Sequence, residues 1–225
     1  MANWKSPGPD QVQGYWLKHL TSLHERLAQQ FQSILDDPSC MPSWLTTGRT
    51  VLIQKDQTQG NNPSNYRPIT CLPTSWKLLS GTLTDRITQH LNQHDILAYE
   101  QKESRSGCRG TEDQLLIDKV LSADSKQRKA NLAMGWIDYK KAYDTVPHFW
   151  IIQSMELHMI DHKIINLVQQ SVGSWNTALT FGDKHLANIK IKGGIFQGDA
   201  LSSLLFCVAI NPLSYIRRDA NQGYN

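Results

Sequence analysis

The chain has 225 residues, enough for one large domain or two small ones. Its hydrophobic fraction of 40% can fill a real core, while a mean hydropathy of −0.44 and the lack of any run of about 18 apolar residues argue against a membrane protein. A formal net charge of +3 permits a nucleic-acid partner without demanding one, and the N-terminus carries no apolar signal region.

Cys40, Cys71, Cys108 and Cys207 are widely spaced and form no C-x-x-C pair, so they read as free thiols of a reducing compartment. In chain order, Lys5-Ser-Pro-Gly-Pro-Asp10 is a turn by composition. Trp16, Leu20, Leu23, Leu27, Phe31 and Ile34 then recur every three or four residues, which predicts one helix, ended by Asp36-Asp37-Pro38. Residues 49–55 read as a strand with a basic residue at each end, Arg49 and Lys55. A polar loop leads to Tyr66-Arg67-Pro68, where the proline keeps Arg67 extended. Trp76, Leu79, Leu83, Ile87 and Leu91 form a second helical stripe. His90 and His94, and His158 and His162, are spaced four apart, but no third ligand pattern accompanies them, and they read as solvated.

Residues 101–110 form a basic, glycine-containing loop, and Thr111-Glu-Asp-Gln114 has the pattern of a capping box opening a helix. The short basic run 126–129 reads as a solvated turn. The apolar run 132–137 stops at Asp138 and predicts a buried strand that delivers a carboxylate from the core. Tyr143 and Asp144 follow, then Pro147 and His148 open a helix. Helices are expected over 149–157 and 164–172. A hairpin is expected over 176–192, with Ala187, Ile189 and Ile191 on its dry face. Gly193-Gly-Ile-Phe-Gln197-Gly198-Asp199 is a glycine-rich turn before a helix carrying Leu201, Leu204, Leu205 and Val208 on its core side.

The stretch 131–148, with its Trp-Ile-Asp-Tyr-Lys-Lys-Ala-Tyr-Asp core, resembles the first catalytic motif of reverse transcriptases, most closely those of non-LTR (LINE-type) retrotransposons. Residues 193–206 resemble the second palm motif of that family, usually Gly-x-x-Gln-Gly-Asp-Pro-Leu-Ser-Pro, with Ala200 and Ser203 in place of the prolines. The Lys-x-Pro-Gly-Pro-Asp opening, the Lys55 and Arg67 segments and the loop at 101–110 are similar to further family segments in the same order. Family members often carry glycine where Glu103 or Ser104 stands. Viral and group II intron enzymes share the core motifs, but the opening segment favours the LINE-type reading.

The resemblance implies an α+β right-hand polymerase fold, fingers and partial palm, built as an antiparallel sheet with packed helices. It divides the chain into an N-terminal helical extension (1–45), fingers (46–128) and partial palm (129–225), with no thumb. It implies RNA-directed DNA polymerase chemistry, with an RNA template, a DNA primer and dNTP as partners and two Mg2+ ions. Asp138 and the carbonyl of Tyr139 would hold metal, and Asp138 would be the catalytic carboxylate. Lys55 and Arg67 would face the triphosphate, Tyr143 the sugar, and Gln197 and Gly198 the nucleotide. Asp144 is expected to orient its loop or cap a helix. The family's second Asp pair lies on a later hairpin, so the isolated chain is expected to be inactive with a sheet edge unpaired; Asp36-Asp37 is not a substitute. The rest of a polyprotein is an implied partner, no membrane is, and nucleus or cytoplasm is the implied location. A non-catalytic nucleic-acid-binding remnant stays open as the alternative.

Overall fold

A computed structural model describes residues 3–60, 62–102, 107–182 and 184–219. Glu103 and Ser104 lie outside the described residues. The N-terminal stripe does not make one helix: α1 (Gly14–His19) and α2 (His24–Asp36) are separated by a tight 3-10 turn at Thr21–Leu23. The break falls at Leu20, whose backbone (φ −87°, ψ 65°) is not helical, and Trp16, Leu20 and Leu23 stay exposed while Ile34 is buried. Periodicity is necessary for an amphipathic helix but does not supply the surface it packs on.

Strand β1 (Thr47–Gln54) pairs antiparallel with β2 (Tyr66–Cys71), and β3 (Asn176–Phe181) pairs antiparallel with β4 (Lys184–Lys190). β1 and β3 run parallel, so the four strands form one mixed sheet in the order β2-β1-β3-β4 rather than the expected antiparallel one. Buried hydroxyls stitch three strands together: Thr50 Oγ1 lies 2.8 Å from Thr70 Oγ1 and 2.7 Å from Thr177 Oγ1. Pro68 is tolerated because β2 is an edge. β4 is exposed along its whole length, so Ala187 and Ile189 do not make a dry face; Ile191 alone of that set packs against the core. Its lysines suit a solvent-facing edge.

The core lies among α3 (Thr74–Gln93), α6 (His148–Leu157), α7 (His162–Ser174) and α8 (Ala200–Asp219). Trp76, Leu79, Leu83, Ile87 and Leu91 are all buried, as their spacing predicts. α8 is long and apolar enough to cross a membrane by length and composition, yet Leu201, Leu204, Leu205 and Val208 are buried in this core. α4 (Thr111–Arg128) opens at Gly110 without a side-chain cap, so the capping box is not formed; instead Asp113 accepts the N–H of Arg109 at 2.9 Å. The Asp36-Asp37 pair is engaged structurally: Asp36 binds Lys163 Nζ at 2.6 Å and Asp37 caps the turn Pro38–Cys40.

Residues 130–139 carry no strand. Among the described residues the expected strand at 132–137 has no sheet neighbour to exchange hydrogen bonds with, and most of its apolar side chains stay in solvent: Trp136 is 75% exposed and Ile137 69%. Asp138 therefore leaves an exposed segment, not a buried strand end. Leu115, Leu116 and Val120 of α4 are exposed as well.

The histidine expectation also changes. Asn211 is fully buried, and its Oδ1 accepts the N–H of Ala98 at 2.8 Å, so its Nδ2 is the donor. Nδ2 donates to Ile96 O (3.2 Å) and to His158 Nε2 (2.7 Å). His158 must then be protonated on Nδ1, which donates to Ser154 O. His90 Nε2 donates to His158 O at 3.0 Å. His158 is thus a buried, neutral tie between α6, α8 and the loop after α3, not a solvated ring. Burial pushes it below the ordinary imidazole value, opposed by the bond to Ser154 and assisted by His90. Because the unfolded chain takes up this proton first, the stability is present above the ordinary value and lost as pH falls below it, by at most about 1.4 kcal/mol per pH unit. The melting temperature should fall between about pH 7.5 and 5.5, and His158→Gln should be less stable at the upper pH yet less pH-dependent. Equal slopes for the two proteins would contradict this assignment.

Candidate active site

The two glycine- and aspartate-bearing segments meet through their backbones. Short α5 (Ala142–Thr145) presents the carbonyls of Tyr143 and Val146, which accept the N–H groups of Ile195 and Gly194, both at 2.8 Å. His148 Nε2 donates to Gly194 O at 2.8 Å, closing a third bond of the same junction. Gly194 has φ +81°, and a Cβ there would stand 2.7 Å from Tyr143 O and 2.8 Å from Asp144 Cα. Only glycine fits both the conformation and the space. Trp175 braces the junction, its ring 5.6 Å from His148 and 4.7 Å from Phe196.

The far end of the loop lies on the sheet. Thr70 N–H of β2 donates to Gln197 O at 2.9 Å, and Gly198 (φ +118°) passes so close that a Cβ would be 3.0 Å from Thr70 O. Gln197 and Asp144 line a cavity of about 350 Å³ over Thr50, Leu52, Pro68 and Thr70. Arg67 is exposed three residues before Thr70, about 10 Å back along β2 at strand rise. The register sets Ile53 opposite Arg67, and Lys55 N–H continues the ladder to Asn65 O at 2.7 Å. Side chains alternate along a strand, so Lys55 and Arg67 share one face, opposite the Thr50, Leu52, Pro68 and Thr70 side chains that line this cavity, and Lys55 Nζ donates to Ser64 O at 3.1 Å.

Tyr143 reaches α8. Its hydroxyl donates to Ser203 Oγ at 3.1 Å and its ring lies 5.3 Å from that of Phe206. Tyr139 also meets Phe206, at 6.5 Å, which brings the Asp138–Tyr139 step to the same side of α8. Asp138 is exposed. Asp144 lies inside α5 and does not cap the next helix, whose N-cap is Pro147.

The tie between Asp199, Trp76 and Ser80 escaped sequence reasoning, which read Trp76 only as a core position and Asp199 only as part of the glycine-rich turn. Asp199 is buried and accepts Trp76 Nε1–H at 2.9 Å and Ser80 Oγ–H at 2.7 Å, so it fastens the Gln197–Gly198 loop to α3. Burial raises its carboxyl above the ordinary value, against the lowering pull of Ser80, Trp76 and the amides of Leu201 and Ala200. Its place as the aspartate of the Gln-Gly-Asp motif was the signal available, and it does not reveal the partners 119 and 123 residues away. A second, larger cavity of about 690 Å³ lies between α2 and α3, lined by Leu27, Phe31 and Leu83 and by none of these site residues.

A family profile described as reverse transcriptase (RNA-dependent DNA polymerase) matches residues 53–222. The chain therefore belongs to the reverse transcriptase family, as a domain of the non-LTR retrotransposon type. A retrovirus-related Pol polyprotein from type-1 retrotransposable element R2 of Popillia japonica is 30% identical over 214 residues, covering 93% of this chain and 28% of that protein. The Pol polyprotein from type-2 retrotransposable element R2DM of Drosophila melanogaster is 23% identical over 212 residues, covering 92% of the chain and 19% of that protein. A probable RNA-directed DNA polymerase from transposon X-element of the same fly is 23% identical, over 92% of the chain and 23% of its own length. The chain thus spans under a third of each of these relatives.

Gly194→Ala should destabilise the fold by about 2–3 kcal/mol in urea denaturation, from positive-φ strain plus the clash with the Tyr143 carbonyl. Gly193→Ala, whose Cβ meets nothing within 4 Å, is the control. Equal stability of the two variants would contradict the junction.

Proposed function

We propose that this chain is the fingers and part of the palm of an RNA-directed DNA polymerase domain, with an N-terminal helical extension over 1–45, fingers over 46–128 and palm over 129–225. The observation that supports this most is the junction that bonds the Tyr143 backbone to the loop leading into Gln197–Gly198, whose far end rests on Thr70 of the strand carrying Arg67.

In this reading Lys55 and Arg67 take the triphosphate of a dNTP, the ammonium as a point charge and the guanidinium as a two-pronged donor. Tyr143 crowds a ribose 2′-hydroxyl and so favours deoxynucleotides. Gln197 lies against sugar and base, and Gly198 lets the backbone come close. The reaction is nucleotidyl transfer from dNTP to the 3′-hydroxyl of a DNA primer paired to an RNA template, in the setting of a larger polyprotein. Divalent ions, magnesium by expectation, would stabilise the attacking and leaving oxygens.

The donors of this chain fit that role only in part. Magnesium is held mainly by carboxylates, water and substrate phosphates. Asp138 offers one carboxylate and Tyr139 one carbonyl, and among the described residues no three acidic, histidine or cysteine side chains gather to hold an ion. We therefore expect the isolated chain to bind nucleotide without extending a primer.

Primer extension on an RNA template with magnesium should yield no product from the wild type or from Asp138→Ala. Wild-type product that disappears in Asp138→Ala would contradict the inactivity and require a further carboxylate. Arg67→Ala should weaken dNTP affinity at least about tenfold, the size of a lost charge-assisted hydrogen bond. Unchanged affinity would contradict the nucleotide site itself.

A further inference from the structure

Tyr143 is held at three points. Its backbone carbonyl accepts Ile195 N–H at 2.8 Å. One side of its ring packs on Phe206, with centroids 5.3 Å apart and planes at 44°. Its hydroxyl donates to Ser203 Oγ at 3.1 Å. Ser203 and Phe206 are three residues apart on α8 and share a face, so one helix turn grips both the edge and the tip of the phenol. Ser203 is also a position where the chain departs from the usual motif, which has proline there. Proline has no side-chain acceptor, so the contact belongs to this sequence.

We propose that Ser203 is a positioning residue that fixes the tilt of the Tyr143 ring and thereby sets how strictly the site separates deoxyribose from ribose. The proposal rests on the reading of Tyr143 as the residue that faces the sugar. Steric exclusion is only as strong as the resistance of the excluding group to turning aside. Main-chain and Phe206 contacts fix the root and the plane of the ring, and the Ser203 hydroxyl fixes its tip. Without that hydroxyl the phenol is free to find water instead and the ring yields to a 2′-hydroxyl.

The test uses the chain bound to an RNA template and a DNA primer that ends in a 3′-deoxynucleotide, so that no turnover intervenes. Equilibrium titrations with dCTP and with CTP opposite guanine, in magnesium, give a discrimination ratio. Ser203→Ala should lower that ratio about fivefold, the size of one net hydrogen bond, with the change carried by tighter CTP binding. Ser203→Thr, which keeps the hydroxyl, should restore it. In a Tyr143→Phe background, Ser203→Ala should add nothing. A ratio unchanged by Ser203→Ala but abolished by Tyr143→Ala would overturn the role of Ser203 and leave Tyr143 in place. A ratio unchanged by Tyr143→Ala would overturn the sugar reading and this proposal with it. Equal loss of affinity for both nucleotides in Ser203→Ala would mark a general structural effect and also overturn it.

Discussion

Two backbone hydrogen bonds, Gly194 to Val146 and Ile195 to Tyr143, join stretches about 50 residues apart and fix everything around them. Backbone groups are obligatory donors and acceptors, so a short ladder of this kind, closed by His148, specifies register more tightly than side-chain packing alone. It has one steric condition, the absence of a Cβ at residue 194. With that met, Tyr143 is aimed at α8 and the following loop is carried across to β2.

The other end of the loop is fixed by a buried charge or its neutral form. Asp199 sits at the start of α8 with hydrogen bonds from Trp76 and Ser80 of α3. A buried carboxyl is costly unless its acceptors are satisfied, and here side chains and amides both contribute. The loop bearing Gln197 and Gly198 is therefore anchored on α5, β2 and α3 at once. Asp138, by contrast, lies in residues 130–139, which have no strand partner among the described residues. In the proposed reading, this chain supplies the nucleotide side of the site and only part of the metal side.

Much of this was legible in sequence where the signal is local. The stripe from Trp76 to Leu91 became a buried helix face, and β3 formed over 176–181, the first arm of the expected hairpin. Features that depend on distant partners were not. The parallel pairing of β1 with β3 joins residues well over 100 positions apart and leaves no local mark. The run 132–137 has strand composition, but a strand exists only through its neighbours. The α1–α2 stripe broke at Leu20 because no surface receives Trp16 and Leu23. His158 looked solvated because its partners, Asn211 and Ser154, come from a different helix and from one turn back. Of the candidate site, the Tyr143 backbone is bonded to the loop that carries Gln197, Lys55 and Arg67 share a strand face opposite the cavity, and Asp199 and Ser203 were visible only as a member of a motif and a departure from it.

The most direct measurement is photo-crosslinking of the chain, with template and primer bound, to an azido-dATP, followed by peptide mapping. Adducts confined to the peptides around Arg67, Tyr143 and Gln197 are the predicted result. Adducts concentrated in the apolar cavity between α2 and α3, on peptides bearing Phe31 or Leu83, would contradict the account, because nucleotide would then bind away from the junction on which it depends.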